Sequence, residues 1–230
     1  MAKPAKKSPK KKSLAPAEQA RIAEIFRRFE EQESDPRTEL DYDSPYTLVV
    51  SVALSAQATD VSVNKATARL YEVADTPQKM LALGEEGLKP FISSIGLYNT
   101  KARNVIALSR ILVEQYGGEV PLTREALQAL PGVGRKTASV VLNELRIQPA
   151  IAVDTHVFRV AHRLGLATGK TPDQVEAELM SVVPEPLLTR AHHWLILHGR
   201  YVCVARRPKC EECVVADLCP SRHLFVKDLR

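Results

Sequence analysis

Apolar residues recur at helical spacing along most of the chain, in two clear stripes. The first stripe lies in APAEQARIAEIFRRFEEQ and consists of Ile22, Ile25, Phe26 and Phe29. The second lies in NTKARNVIALSRILVEQYGG and consists of Val105, Leu108, Ile111 and Leu112. Each stripe predicts an amphipathic helix with one face in a core. The pair Gly117-Gly118 provides a stop for the second helix.

Other segments carry helix start signals. Ser44 is a predicted N-cap because Pro45, which suits the first helical position, follows it. The residues after this start are apolar nearly all round from 48 to 54, as in a buried helix, and the polar stretch 55–60 then predicts a break. Thr171 and Gln174 have the spacing of a capping box. The run IAV has no partner strands, so the sequence predicts an all-α fold with short loops.

Composition and charge separate the N-terminus from the body. The chain has 230 residues and a formal net charge of +5, and six lysines occur in the first twelve residues. The remainder has 26 basic and 27 acidic residues. We therefore expect residues 1–17 to form a basic disordered tail, either a loose grip on a polyanion or a solubilising end. No secretory signal or membrane-length apolar run is present, so a cytoplasmic protein without a membrane partner is expected.

The four cysteines fall within the last thirty residues, in the pattern C-x6-C-x2-C-x5-C. They are Cys203, Cys210, Cys213 and Cys219. Such convergence favours a metal site over disulfides, and the spacing alone leaves zinc and an iron–sulfur cluster both open. Four thiolates leave no open position, which favours a structural role. The loop VARRPK would then present Arg206, Arg207 and Lys209 as a basic patch for phosphates, unless it is an ordinary solvated loop.

The stretch LPGVGRKTAS predicts a turn between two helices. It fails as a nucleotide-binding loop, because Arg135 separates the second glycine from Lys136 and a helical segment precedes it. The glycines Gly132 and Gly134 would leave turn amides uncovered, and the following helix start can receive a phosphate. The helix start and partial burial would together lower the pKa of Lys136 and make its amine a nucleophile.

A carboxylate follows at Asp154, in AVDTHVFRV, eighteen residues beyond Lys136. A carboxylate that faces an amine suits proton transfer and stabilises a cationic intermediate. His156 and Arg159 lie close to it in sequence and could line a site or serve packing.

Six segments together resemble the endonuclease III family, the bifunctional DNA glycosylase/AP lyases. They are LSAQATD, IGLYNTKARN, LPGVGRKTA, IAVDTHVFRV, HHWLILHGRYVC and the cysteine tail, in matching order from about residue 20 to 220. The resemblance implies two helical lobes that flank a DNA-binding groove. Residues 37–150 would form a six-helix barrel with the helix-hairpin-helix, and 18–36 with 151–230 the iron–sulfur lobe. It also implies a [4Fe–4S] cluster on the four cysteines.

The same resemblance implies roles for individual residues. Lys136 becomes the nucleophile and Asp154 its essential carboxylate. Gln57 and Leu97 match the residues that enter the duplex where the damaged base has left, and Gly132 with Gly134 form the phosphate-contacting turn, where a monovalent cation can also bind.

The expected function is excision of oxidised pyrimidines from double-stranded DNA, followed by β-elimination at the abasic site. The expected protein is a monomer, associated with the nucleoid if bacterial.

Two rival functions are less well supported by the sequence. An adenine glycosylase of the same superfamily lacks the lysine nucleophile and carries an extra C-terminal domain. A non-enzymatic DNA-binding or cluster-sensing module would not need Lys136, Asp154, Gln57 and Leu97 together. One departure is small: Ser139 occupies a position where the family often has Asn, which puts only local hydrogen bonding in doubt.

Overall fold

The computed structural model describes residues 14–226, which fold into α-helices joined by short loops. The ten α-helices in this part of the chain are α1 (Pro16–Gln32), α2 (Pro45–Leu54), α3 (Asp60–Tyr71), α4 (Pro77–Ile92), α5 (Tyr98–Tyr116), α6 (Arg124–Gln128), α7 (Arg135–Glu144), α8 (Thr155–Arg163), α9 (Pro172–Val182) and α10 (Leu188–Tyr201). Short 3₁₀ helices occur at Glu185–Leu187, Ala216–Leu218 and Arg222–Leu224. No strand occurs between residues 14 and 226, and the all-α prediction is confirmed.

The chain divides into two units. The central unit is Thr38–Pro149, and the terminal unit combines Met1–Arg37 with Ala150–Arg230. The domain assignment made from the sequence stays a prediction. Helix α1 already begins at Pro16, so residues 16 and 17 belong to a helix and not to the predicted tail. Of the rest of that tail, residues 14 and 15 precede the helix, and residues 1–13 lie outside the described part.

The central unit contains α2 to α7 around an aliphatic core. Helix α2 is buried on every side, since residues 46 to 54 are all buried, as its continuous apolar run predicted. The start of α2 is a complete capping box between Ser44 and Thr47. Helix α4 is kinked at Gly84, whose φ of 70° lies in the left-handed region. Local periodicity gave no sign of that kink.

The terminal unit packs α1, α8, α9 and α10 around its own core. The rings of Phe26 and Trp194 lie 6.2 Å apart, and the Trp194 indole N–H donates to the Glu33 carbonyl at 2.8 Å. Helix α10 approaches α8 closely at Gly199, where an added Cβ would lie 2.9 Å from the His156 Cβ. The predicted capping box of Thr171 and Gln174 starts α9. Among the described residues, no helix has the length and apolar character needed to cross a bilayer.

Candidate functional site

The LPGVGRK stretch is a turn between α6 and α7. Leu130 and Val133 anchor it, since their side chains are buried and the Val133 N–H donates to the Leu130 carbonyl at 3.1 Å. Gly132 has a φ of 79°, and a Cβ there would lie 3.0 Å from the Asn104 Cβ. Gly134 differs, because its φ of −84° is open to any residue. It is the N-cap of α7, and no side chain caps that helix start. The turn thus presents exposed backbone, as phosphate binding requires.

Lys136 is the second residue of α7, in the central unit, and its side chain is exposed. The partial burial expected from the sequence is therefore wrong. An exposed amine is open to an incoming substrate, and its position beside the uncapped helix start is the one the sequence predicted.

Asp154 belongs to the terminal unit and is the N-cap of α8. Its Oδ1 accepts a hydrogen bond from the Val157 N–H at 2.8 Å, and the residue is half-buried. The cap fixes one carboxylate oxygen on the helix start, where the helix dipole favours a negative charge. Asp154 therefore has a structural role in addition to any chemical one.

Gln57 and Leu97 lie on two adjacent turns of the central unit. Both have left-handed backbone, with φ of 56° and 60°, which costs a residue other than glycine about 1–3 kcal/mol. A Cβ added at Gly96 would lie 4.0 Å from the Gln57 carbonyl oxygen, so the turns nearly touch. The Leu97 side chain is 63% exposed. An exposed leucine on a strained turn suits the wedge role that the resemblance implies.

A cavity of about 160 Å³ opens between these turns and the turn that joins α6 to α7, the hairpin. Its walls include Gln57, Leu97, Lys101, Asn104 and Gly132. The structure thus brings three of the predicted DNA-contacting residues to one cavity. Sequence reasoning missed Lys101 and Asn104. The signal for Lys101 was available, because it occupies the first position of the apolar stripe 101, 105, 108 and 112 of α5.

The four cysteines line one cavity in the terminal unit, and none forms a disulfide. Burial raises the pKa of Cys213 to about 11, and it also raises the pKa of Cys210 and Cys219, with repulsion from the Cys203 thiolate adding to each. Such thiols need a bound metal cation to ionise together. In the described part of the chain, no three His, Cys, Asp or Glu side chains could hold a single metal ion. The set of four thiols suits a polynuclear cluster.

Basic side chains support the cysteine cavity. One Arg163 nitrogen lies 3.4 Å from the Cys203 sulfur and donates to the Val204 carbonyl at 2.8 Å. The His198 Nε2 lies 3.7 Å from the Cys213 sulfur, and burial lowers the pKa of His198 to about 4. A neutral imidazole and a guanidinium therefore face two of the sulfurs.

The loop between Cys203 and Cys210 closes on itself, because the Lys209 N–H donates to the Val202 carbonyl at 2.9 Å. Its side chains Arg206, Arg207 and Lys209 are exposed. Lys209 also forms a 3.8 Å ion pair with Glu212. The arginines at the tip are thus presented outward, as a phosphate-contacting patch would require.

His156 and Arg159 have contacts that favour packing. The Arg159 guanidinium donates to the Cys203 carbonyl at 3.0 Å and to the Gly199 carbonyl at 2.8 Å. The His156 Nδ1 lies 3.3 Å from Arg159. Arg159 therefore holds the first cysteine of the cluster loop against α8.

The chain matches two family models. Residues 50–185 match the HhH-GPD superfamily of base excision DNA repair proteins, and residues 203–219 match the iron–sulfur binding domain of endonuclease III. It is 58% identical over 200 residues to endonuclease III of Escherichia coli K12, which covers 87% of this chain and 95% of the relative. The chain belongs to the endonuclease III family. The Haemophilus influenzae endonuclease III is 56% identical over 85% of this chain and 93% of its own length.

Solved structures agree with this membership. A trapped endonuclease III–DNA covalent intermediate, an estranged-adenine complex, has a TM-score of 0.82 at 42% identity and covers 90% of this chain and 97% of its own. A thermostable thymine-DNA glycosylase, at 24% identity and a TM-score of 0.75, shares the fold.

Membership defines the activity and the cofactor. The chain is a DNA glycosylase/AP lyase of base excision repair that acts on oxidised pyrimidines. Its cofactor is a [4Fe–4S] cluster. The rival functions considered from the sequence, an adenine glycosylase and a non-enzymatic module, are set aside.

Proposed function

We propose that Lys136 is the nucleophile of this glycosylase/lyase and that Asp154 is its essential carboxylate. The observation that carries the proposal is the exposed Lys136 amine, which follows directly on the phosphate-ready hairpin turn. A phosphate held at the turn would bring the neighbouring sugar to the amine.

The chemistry follows from an amine in that place. The damaged nucleotide leaves the stack, and the Lys136 Nζ attacks its sugar C1′ as the C1′–N bond to the base breaks. The sugar ring then opens as the C1′–O4′ bond breaks, and the resulting Schiff base acidifies the C2′ proton, whose removal expels the 3′ phosphate and cuts the strand. The Asp154 carboxylate stabilises the cationic intermediates and assists proton transfer. A hydroxyl or carboxylate at position 136 could form no imine.

The DNA contacts complete the proposal. Gln57 and Leu97 enter the space that the damaged base leaves, Gly132 and Gly134 receive a backbone phosphate, and Arg206 binds a further phosphate from the cluster loop. The cluster's own part is to hold that loop in shape, with Cys203, Cys210, Cys213 and Cys219 as ligands. The solved relatives described as endonuclease III–DNA complexes, covalent and non-covalent, support binding to duplex DNA. We place the enzyme at the nucleoid of a bacterial cell, because its relatives are bacterial and its substrate is DNA.

Borohydride trapping on a duplex with one thymine glycol tests the nucleophile. Wild type should form a covalent protein–DNA adduct, and Lys136→Ala should form none. Lys65→Ala, which removes an exposed lysine of α3 in the same unit, is the matched control and should keep the adduct. An adduct that survives in Lys136→Ala would disprove the assignment.

The same assay tests the carboxylate. Asp154→Asn keeps an N-cap of equal quality and should fold as wild type does, yet it should lose base release and adduct formation. Asp154→Ala should lose the activity and also about 1 kcal/mol of stability. Full activity of Asp154→Asn would limit Asp154 to its capping role.

A further inference from the structure

A buried ammonium group without a hydrogen-bond partner lies in the wall of the cavity between the turns of Gln57 and Leu97 and the hairpin. Lys101 is 7% exposed, and its Nζ has no hydrogen-bond partner. Burial lowers the pKa of Lys101, and no neighbouring charge offsets this effect. A buried donor without an acceptor destabilises the folded protein, and more so when it is charged. The presence of a lysine at this position is explained if a ligand supplies the hydrogen-bond acceptor that the free protein lacks.

Backbone strain is concentrated at the same cavity. Three residues other than glycine have positive φ in the described part of the chain, and two of them, Gln57 and Leu97, line this cavity. Strain of this kind persists where the surrounding structure enforces it and clusters at binding sites. The strained turns hold an exposed amide and an exposed leucine at the cavity, next to the buried amine.

The walls fit a nucleobase better than a phosphate. Ala53, Leu54 and Val105 contribute apolar surface, while Gln57 and Asn104 contribute side-chain amides. No carboxylate lines the cavity. A planar base needs apolar contact on its faces and a few polar partners at its edge, whereas a phosphate needs donors on all sides.

We propose that this cavity receives the base opposite the lesion, and that the Lys101 Nζ donates a hydrogen bond to an acceptor on its edge. The inference rests on the proposed function, because extrusion of the damaged nucleotide leaves the opposite base without its partner. Guanine offers the acceptors O6 and N7 to a lysine, whereas adenine sets an amino donor beside its N7. Lys101 therefore favours guanine over adenine and makes the opposite-base preference a property of one side chain.

Equilibrium binding to uncleavable duplexes tests the role of Lys101. Each duplex carries a tetrahydrofuran abasic analogue opposite guanine, adenine or a second tetrahydrofuran. The full-length protein is used with its iron–sulfur cluster bound. Lys101→Met should weaken binding to the duplex with guanine opposite the analogue about tenfold, the size of one charge-assisted hydrogen bond. The loss opposite adenine should be smaller, and affinity for the base-free duplex should not change. Lys101→Gln keeps a donor and should fall between wild type and Lys101→Met.

Lys65→Met is the matched control, because it removes the same charge from an exposed position of the same unit. It should affect all three duplexes equally, as loss of a phosphate contact would. If Lys101→Met behaved like this control, or bound the guanine duplex as tightly as wild type, the proposal would be wrong. These affinities need no catalysis, so failure of the proposed function would appear separately, as an absence of borohydride adducts with wild type.

Discussion

At residue 101, an ammonium group occupies a helical position whose equivalents at 105, 108 and 112 are aliphatic and buried. The fold gains nothing from that charge in the free protein. We expect Lys101→Met to raise the free energy of unfolding at pH 7 by roughly 1–3 kcal/mol, because it removes an unpaired buried cation and keeps the apolar stem.

The pH dependence of this gain identifies its cause. Since the pKa of Lys101 is lowered in the folded state, the unfolded chain binds more protons between that lowered pKa and about 10.4. Wild-type stability should therefore rise across that window relative to Lys101→Met, and the advantage of the variant should shrink as pH approaches 10. Thermal melts of both proteins from pH 7 to 10 measure this difference. A constant difference would assign the effect to packing.

Sequence patterns named candidate residues for the site at this scale, and what they missed has a physical reason. The motifs proposed Lys136, Asp154, Gln57 and Leu97 as site residues, and these assignments stay predictions. They did not show that Lys136 would be exposed or that Lys101 would be buried. Burial depends on which neighbours cover a side chain, and that is decided by tertiary packing.

At the scale of elements, the two glycines of the hairpin have different tasks. Gly132 requires its positive φ and a close approach to Asn104, whereas Gly134 has ordinary φ and nothing within 4 Å of an added Cβ. Gly132→Ala should therefore cost about 1–3 kcal/mol of stability. Gly134→Ala should cost less, at most about 1 kcal/mol, because it loses only the preference of an N-cap for glycine over alanine. Denaturant unfolding of the two variants makes the comparison, and equal losses would contradict it.

Helices were predictable from the sequence where local signals define them. The apolar stripes and the Ser or Thr caps predicted α1, α2, α5 and α9, because spacing and capping are properties of neighbouring residues. The kink at Gly84 and the left-handed turns at 57 and 97 were not predictable. Neither apolar spacing nor capping residues, the two local signals used, mark a positive φ at these positions.

At the scale of the molecule, the two units have separate hydrophobic cores, and the cysteine segment belongs to one of them. That segment is fastened to α1, since the Arg28 guanidinium contacts Asp217 at 2.6 Å and Arg21 donates to the Leu218 carbonyl at 2.8 Å. Val215, in the same cysteine segment, is fully buried.

Loss of the cluster should therefore destabilise the terminal unit more than the central unit. In Cys213→Ser, amide hydrogen exchange should accelerate in α1, α8, α9 and α10, because the cluster no longer holds the cysteine segment against their core. Exchange in α2 to α7 should change little. Exchange that accelerates equally in both units would show that the cluster stabilises the whole molecule as one cooperative body.

The terminal unit is assembled from both ends of the chain, and this has a consequence during synthesis. Helix α1 leaves the ribosome early, but its core partners begin at Ile151, which follows only after the whole central unit has been made. At translation rates of about 5–20 residues per second, the apolar face of α1 must wait on the order of ten seconds. The central unit, being continuous, can fold in that interval. Nascent chains whose central unit has left the ribosome, but whose segment from Ile151 onward has not, should therefore carry a folded middle and an uncovered first helix that is open to chaperones.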